Sequence, residues 1–99
     1  MVGKKIIWSD SAKIEFRAIL EFYAERNGSI NYSNKILIEV QDLLQTLSMN
    51  SKIGRMTSNN KTRVIPLKVY LIFYELNENR IEIVSFWDNR QDTLKRKIK

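Results

Sequence analysis

The chain has 99 residues, with 17 Lys and Arg against 11 Asp and Glu, a formal charge of +6 and a pI near 9.7. That length builds one domain over residues 1–99 and is too short for two. The absence of Cys and His excludes disulfides, thiol nucleophiles, imidazole bases and Cys- or His-ligated metals.

Gly occurs only at positions 3, 28 and 54, so no phosphate-cradling loop is expected. No cofactor and no metal are expected either. An enzyme built from this chain must draw on carboxylates, Lys, Tyr or Arg. The 43% hydrophobic content is enough for one modest core and argues against disorder.

The charge is unevenly placed. Residues 1–50 balance six basic against six acidic side chains, whereas residues 51–99 hold eleven basic and five acidic ones. Such asymmetry points to an anionic partner: nucleic acid, an acidic protein or, less favoured, a membrane. Lys4-Lys5 is followed by an apolar run of only Ile6-Ile7-Trp8, too short for a signal peptide, and no stretch is long enough to span a membrane. A cytoplasmic location without membrane contact is the expectation.

In chain order, Lys4 to Trp8 reads as a short strand. Ser9-Asp10-Ser11 offers helix N-caps. Ala12, Phe16, Ile19, Leu20 and Tyr23 then fall on one helical face, and Asn27-Gly28 ends that helix. Ser29 or Asn31 caps a second helix with a matching stripe of Tyr32 or Ile36, Val40, Leu43, Leu44 and Leu47. The short connection makes the pair an antiparallel hairpin.

Residues 48–61 are rich in small polar residues, with Lys52, Arg55 and Lys61 interspersed. They read as a structureless link. Thr62 to Leu67 is a strand that lies at an edge or ends at Pro66, which cannot donate to a ladder. Val69 to Leu76 is the strongest strand and pairs through the Asn77-Glu78-Asn79 turn with Arg80 to Trp87. Asp92 to Lys99 reads as a short basic helix or a frayed tail.

The order β-α-α-β-β-β predicts an α+β domain, with a helical hairpin on one face of a small, largely antiparallel sheet. The central strand is apolar on both faces, with Val69, Leu71 and Phe73 opposing Tyr70, Ile72, Tyr74 and Leu76. Two helices cover only one of them. The other face is covered by the C-terminal segment or by another chain.

Four local features resemble the RelE/ParE superfamily of bacterial type II toxin–antitoxin toxins. Ile7-Trp8-Ser9 leads into Ala12 of the first helix, and Tyr23 stands near that helix's end. Arg63 precedes Tyr70-Leu71-Ile72-Phe73-Tyr74. Ile81-Glu82-Ile83-Val84 leads into Phe86-Trp87-Asp88-Asn89-Arg90-Gln91.

The resemblance covers nearly the whole chain. It implies a growth-arresting toxin of a plasmid stabilisation module, neutralised by a cognate, acidic antitoxin in a hetero-oligomer. It offers two targets: DNA gyrase for the ParE-like branch, and the ribosome with its mRNA for the RelE-like endoribonucleases. Within it, Arg63 and Arg90 are candidate phosphate clamps and Tyr74 a weaker candidate for proton transfer. Lys52, Arg55, Lys61, Arg63 and Arg90 are candidate target- or nucleic-acid-binding residues.

Leu71 stands where the RelE branch commonly carries an Arg. A C-terminal Tyr and a His are missing as well. A Leu cannot stabilise a developing oxyanion, so the ParE-like reading is favoured.

Overall fold

A computed structural model describes residues 3–88. The elements are β1 (Lys5–Trp8), α1 (Asp10–Asn27), α2 (Asn31–Met49), β2 (Arg55–Met56), β3 (Thr62–Leu67), β4 (Tyr70–Leu76) and β5 (Arg80–Asp88). The expected basic helix or tail after Asp92 lies outside the described residues.

Local chemistry sets the helix ends. The Ser9 hydroxyl accepts from the Ala12 amide at 3.1 Å and donates to the Val84 carbonyl at 3.3 Å. One side chain thus caps α1 and ties its start to β5. Gly28 takes φ 65°, the left-handed conformation that closes a helix cheaply only for glycine. At α2 the expected cap is displaced by one residue. Ile30 occupies the N-cap position and has no side chain to offer. Ser29, one residue outside, instead accepts from the Asn31 amide at 3.1 Å.

The two helical stripes meet as expected. Ala12, Phe16 and Ile19 of α1 and Ile36, Val40, Leu44 and Leu47 of α2 are buried in one core. Ser33 is also buried, because its hydroxyl donates to the Leu20 carbonyl at 2.6 Å and crosses the hairpin.

The sheet order is β1-β5-β4-β3-β2. β1 runs parallel to β5, and the other neighbours are antiparallel. The largely antiparallel expectation therefore holds, with one parallel pair at the edge. The stretch expected to be structureless is not so. α2 continues to Met49, and Arg55–Met56 pairs with Val64 and Arg63. Asn59 organises the return: its side-chain oxygen accepts from the Lys61 and Thr62 amides, each at 2.8 Å. An Asn carbonyl standing in for backbone makes a tight turn from a run that looks featureless as composition.

Tyr70, Ile72, Tyr74, Ile81, Ile83 and Phe86 face the helices and are buried. Trp8, Phe16 and Phe86 stack there, with ring centroids 5.3 Å and 4.7 Å apart for Trp8–Phe16 and Phe16–Phe86. On the other face Phe73 meets Trp87 edge-on at 5.6 Å. That face is apolar at Leu71 and Phe73, as the doubled pattern predicts.

A bulge interrupts β4–β5. Phe73 pairs with Ser85 and Tyr74 with Ile83, so Val84 is the extra residue. Just past the end of β1, α1 covers the exposed β5 backbone. The Glu15 carboxylate accepts from the Ser85 hydroxyl and the Phe86 amide, each at 3.0 Å.

The far edge is short and blunted. The Thr57 amide donates to the Thr62 carbonyl at 2.8 Å. Main-chain groups alternate along a strand, so Thr62, Val64 and Pro66 turn theirs away from β4. Beyond the two residues of β2, the outward position is Pro66, which has no N–H to offer.

Replacing Glu15 by Ala leaves the Phe86 amide and the Ser85 hydroxyl without their acceptor. The expected cost is about 1–3 kcal/mol by urea denaturation. Glu15→Gln, which keeps a side-chain oxygen, should recover most of it.

Candidate functional site

The second half of β4 and the start of β3 build a well-connected polar cluster. Tyr74 and Arg63 are cross-strand partners. Tyr74 is fully buried, and its hydroxyl faces the loop that leaves α2. It donates to the Ser51 carbonyl and accepts from the Gly54 amide, both at 2.8 Å.

Arg63 completes the arrangement. Its guanidinium donates to the Gly54 carbonyl at 2.7 Å and to the Lys52 carbonyl at 3.3 Å. Gly54 is thus gripped at both its N–H and its C=O. A side chain could not be accommodated there, because a Cβ on Gly54 would lie 2.5 Å from the Tyr74 oxygen.

Burial pushes the Tyr74 pKa up. The Gly54 amide bond and the Arg63 charge pull weakly the other way. The phenol therefore stays protonated through the neutral range, as a structural donor. Tyr70, at the other end of β4, is raised further. Desolvation is the main cause, followed by the Tyr32 hydroxyl, which approaches without meeting hydrogen-bond geometry, then Tyr23 and Asp88.

The gripped loop presents its other side chains outward. Lys52, Ile53, Arg55 and Met56 are all exposed, with Ile53 at 48% and Met56 at 40%. A shallow depression of about 420 Å³ is lined by Asn50, Ser51, Lys52 and Ile53. The surface alternates cations with apolar side chains, which suits a protein partner at least as well as a phosphate backbone.

The candidate residues divide into groups. Arg63, Tyr74, Lys52 and Arg55 converge on this loop. Lys61 turns aside to Glu75 at 3.8 Å, and Glu75 also accepts from the Thr62 hydroxyl at 2.9 Å. Arg90 lies outside the described residues. Leu71, in the place of the RelE-type Arg, lies on the sheet face turned away from the helices, paired with Trp87.

Sequence reasoning missed Gly54 and Ser51 as parts of the cluster. One signal was available: Gly54 is an isolated glycine in a loop otherwise made of residues with side chains. Among the described residues no group of His, Cys, Asp and Glu could hold a metal ion. No helix there is long and apolar enough to cross a membrane.

A helical hairpin on one face of a mixed sheet, with a basic-apolar loop clamped beside it, defines a small α+β domain. Comparison with known proteins makes this specific. Residues 6–93 match the model of the ParE toxin of type II toxin–antitoxin systems, parDE, and the chain belongs to that family. Among solved structures it resembles a chain of the chromosomal ParDE TA system from P. aeruginosa, with a TM-score of 0.72 and 17% identity. The match covers 84% of this chain and 92% of the other. At that identity the likeness speaks for the fold. No curated protein matches the chain.

Two outcomes follow from the clamp. Tyr74→Phe strands the Gly54 amide and the Ser51 carbonyl. It should cost about 1–3 kcal/mol and accelerate hydrogen exchange at Gly54. In the parent chain, Tyr74 ionises near 10.0 when unfolded and higher when folded. Its contribution to stability is therefore complete below pH 10 and is lost as pH rises above that, because the unfolded state gives up the proton first. Phenolate absorbance at 295 nm should show Tyr70 and Tyr74 titrating only together with loss of near-UV circular dichroism.

Proposed function

We propose that this ParE-family toxin arrests growth by binding DNA gyrase, without catalysing a reaction of its own. The observation that carries this reading is the use made of Arg63 and Tyr74. The two groups closest to a phosphate clamp and a proton donor are engaged in holding the loop at Lys52 to Gly54. What the loop offers to a target is a shaped surface of Lys52, Ile53, Arg55 and Met56. The position where RelE-type enzymes commonly carry an Arg is held by Leu71, on the sheet face away from this loop, and a Leu cannot stabilise a developing oxyanion.

A cognate antitoxin neutralises the protein by covering it in a hetero-oligomer. The basic second half of the chain favours an acidic antitoxin. The pair acts in the bacterial cytoplasm, where gyrase is found, and serves to stabilise the plasmid or chromosomal segment that encodes it.

Purified chain should inhibit gyrase supercoiling in vitro. The double variant Lys52→Glu/Arg55→Glu should need roughly ten times more protein for the same inhibition, an order of magnitude set by removing two interface cations. Unaltered supercoiling at large toxin excess would end the gyrase reading. Cleavage of translated mRNA, mapped by primer extension during arrest, would replace it with the ribosome-dependent endoribonuclease.

A further inference from the structure

The outer surface of the helix layer carries a row of apolar side chains. Ile14 and Phe22 of α1 are 66% and 45% exposed. Ala18, midway between them, is exposed as well. Spacings of four residues put all three on one side of α1, turned away from the face formed by Ala12, Phe16 and Ile19. α2 has no such row. Its exposed Ile38 stands between Asn34 and Asp42, and a single exposed apolar side chain is ordinary on a protein surface.

Charge runs beside the row in a fixed order. Arg17 and Glu21 flank it on one side. Both are exposed, and neither forms an ion pair among the described residues. Within a helix, an acid four residues after a base is the poorer orientation for pairing, so both charges are available to a neighbour. Glu15, on the other flank, is already engaged by Ser85 and Phe86.

Row and charges match their own reversed copy. Ala18 is the midpoint of Ile14 and Phe22. In an antiparallel pair crossing at Ala18, Ile14 of each copy meets Phe22 of the other. Arg17 of each copy then lies within about 3 Å, along the axis, of Glu21 of the other. Rows spaced by four residues cross in the commonest class of helix packing, and an alanine at the crossing lets the backbones approach. A parallel pair would set Arg17 against Arg17 and Glu21 against Glu21. The charges therefore select the antiparallel orientation.

We propose that the outer face of α1 is an isologous interface whose occupant is a second copy of this chain. Ile14, Ala18 and Phe22 form its apolar centre, and two reciprocal Arg17–Glu21 pairs fix its direction. The dimer leaves the loop at Lys52 to Met56 outside the interface, so one particle carries two such loops.

A single helix crossing is smaller than a standard interface of roughly 1,200–2,000 Å². The association should be weak, with a Kd on the order of tens of micromolar. Sedimentation equilibrium of the purified full chain should show monomer and dimer only. Ala18→Glu, at an exposed helical position, should raise Kd by about tenfold or more. Arg17→Glu and Glu21→Arg should each raise it by about tenfold, because each sets like charges face to face twice. Combining the two exchanges the signs and should return Kd to within roughly threefold of the parent. A variant that had merely misfolded could not be restored that way. The chain has no Cys, so Ala18→Cys reports the geometry directly. A short bismaleimide should link it across the two-fold axis, whereas Ser58→Cys, in the turn before β3, should give only the background of random collision.

The proposal is overturned by a chain that stays monomeric at millimolar concentration, or by a dimer indifferent to Ala18→Glu. It is overturned equally if the charge exchange fails to restore association, or if Ser58→Cys links as well as Ala18→Cys. Occupation of the face only when a different protein is bound would make it a hetero-interface and overturn it too. None of these results bears on gyrase inhibition by the loop, so the two readings fail separately.

Discussion

The structure depends on the pairing of its first strand with its last. β1 enters beside β5, and the aromatic side chains that follow lock the arrangement. Trp8 stacks on Phe16 and Phe86, Phe16 lies against Phe86, and Tyr70 packs against Phe86 with centroids 5.6 Å apart. These rings come from β1, α1, β4 and β5, so one cluster fixes how the hairpin sits on the sheet. Such aromatic contacts combine large apolar burial with a preferred geometry. Ser9 and Glu15 reinforce the same seam with polar bonds to β5 where β1 ends. The helices cover one face because this seam leaves them no other.

Polar chemistry elsewhere is subordinate to shape. Buried tyrosines and an arginine suggest catalysis when read in isolation. Here the Tyr74 hydroxyl has both a donor and an acceptor, and Arg63 spends two bonds on carbonyls. A buried polar group that meets its partners rigidifies a loop, and a loop held this way can present a recognition surface without ordering cost at the moment of binding. Gly54 is the point where that economy is most exacting. The Tyr74 ring occupies the space a side chain would need, which is why the loop can pass so close to the strand.

Much of the fold was legible in the residues. Period-3.6 stripes located both helices, and the apolar alternation of Tyr70 to Leu76 located the central strand and its buried face. Ser9 and Gly28 marked the ends of α1 correctly. The hidden parts depended on single polar contacts rather than on periodicity. β2 has two residues, too few for any pattern. The turn before β3 rests on one Asn59 oxygen. The N-cap of α2 moved because Ser29 could reach the Asn31 amide from one position further out. Of the candidate site, the residues were named but not their use. Arg63 and Tyr74 stand together, as their shared strand neighbourhood requires. Their partners are main-chain atoms of Ser51, Lys52 and Gly54, which no side-chain motif records. The parallel β1–β5 pairing brings Lys5 beside Arg80, a proximity that a separation of this length along the chain conceals.

The blunting of the β2–β3 edge has a consequence for assembly. Strand addition propagates into fibres only when each unit offers one open edge to the open edge of the next. In this molecule Pro66 closes one side, and the left-handed Lys68 with φ 57° turns the chain away just beyond it. The β1 edge of one copy finds no ladder to join on the far side of another. The sheet is therefore a terminus rather than a link. A basic, aromatic-rich domain can accumulate in the cell without polymerising through its own backbone.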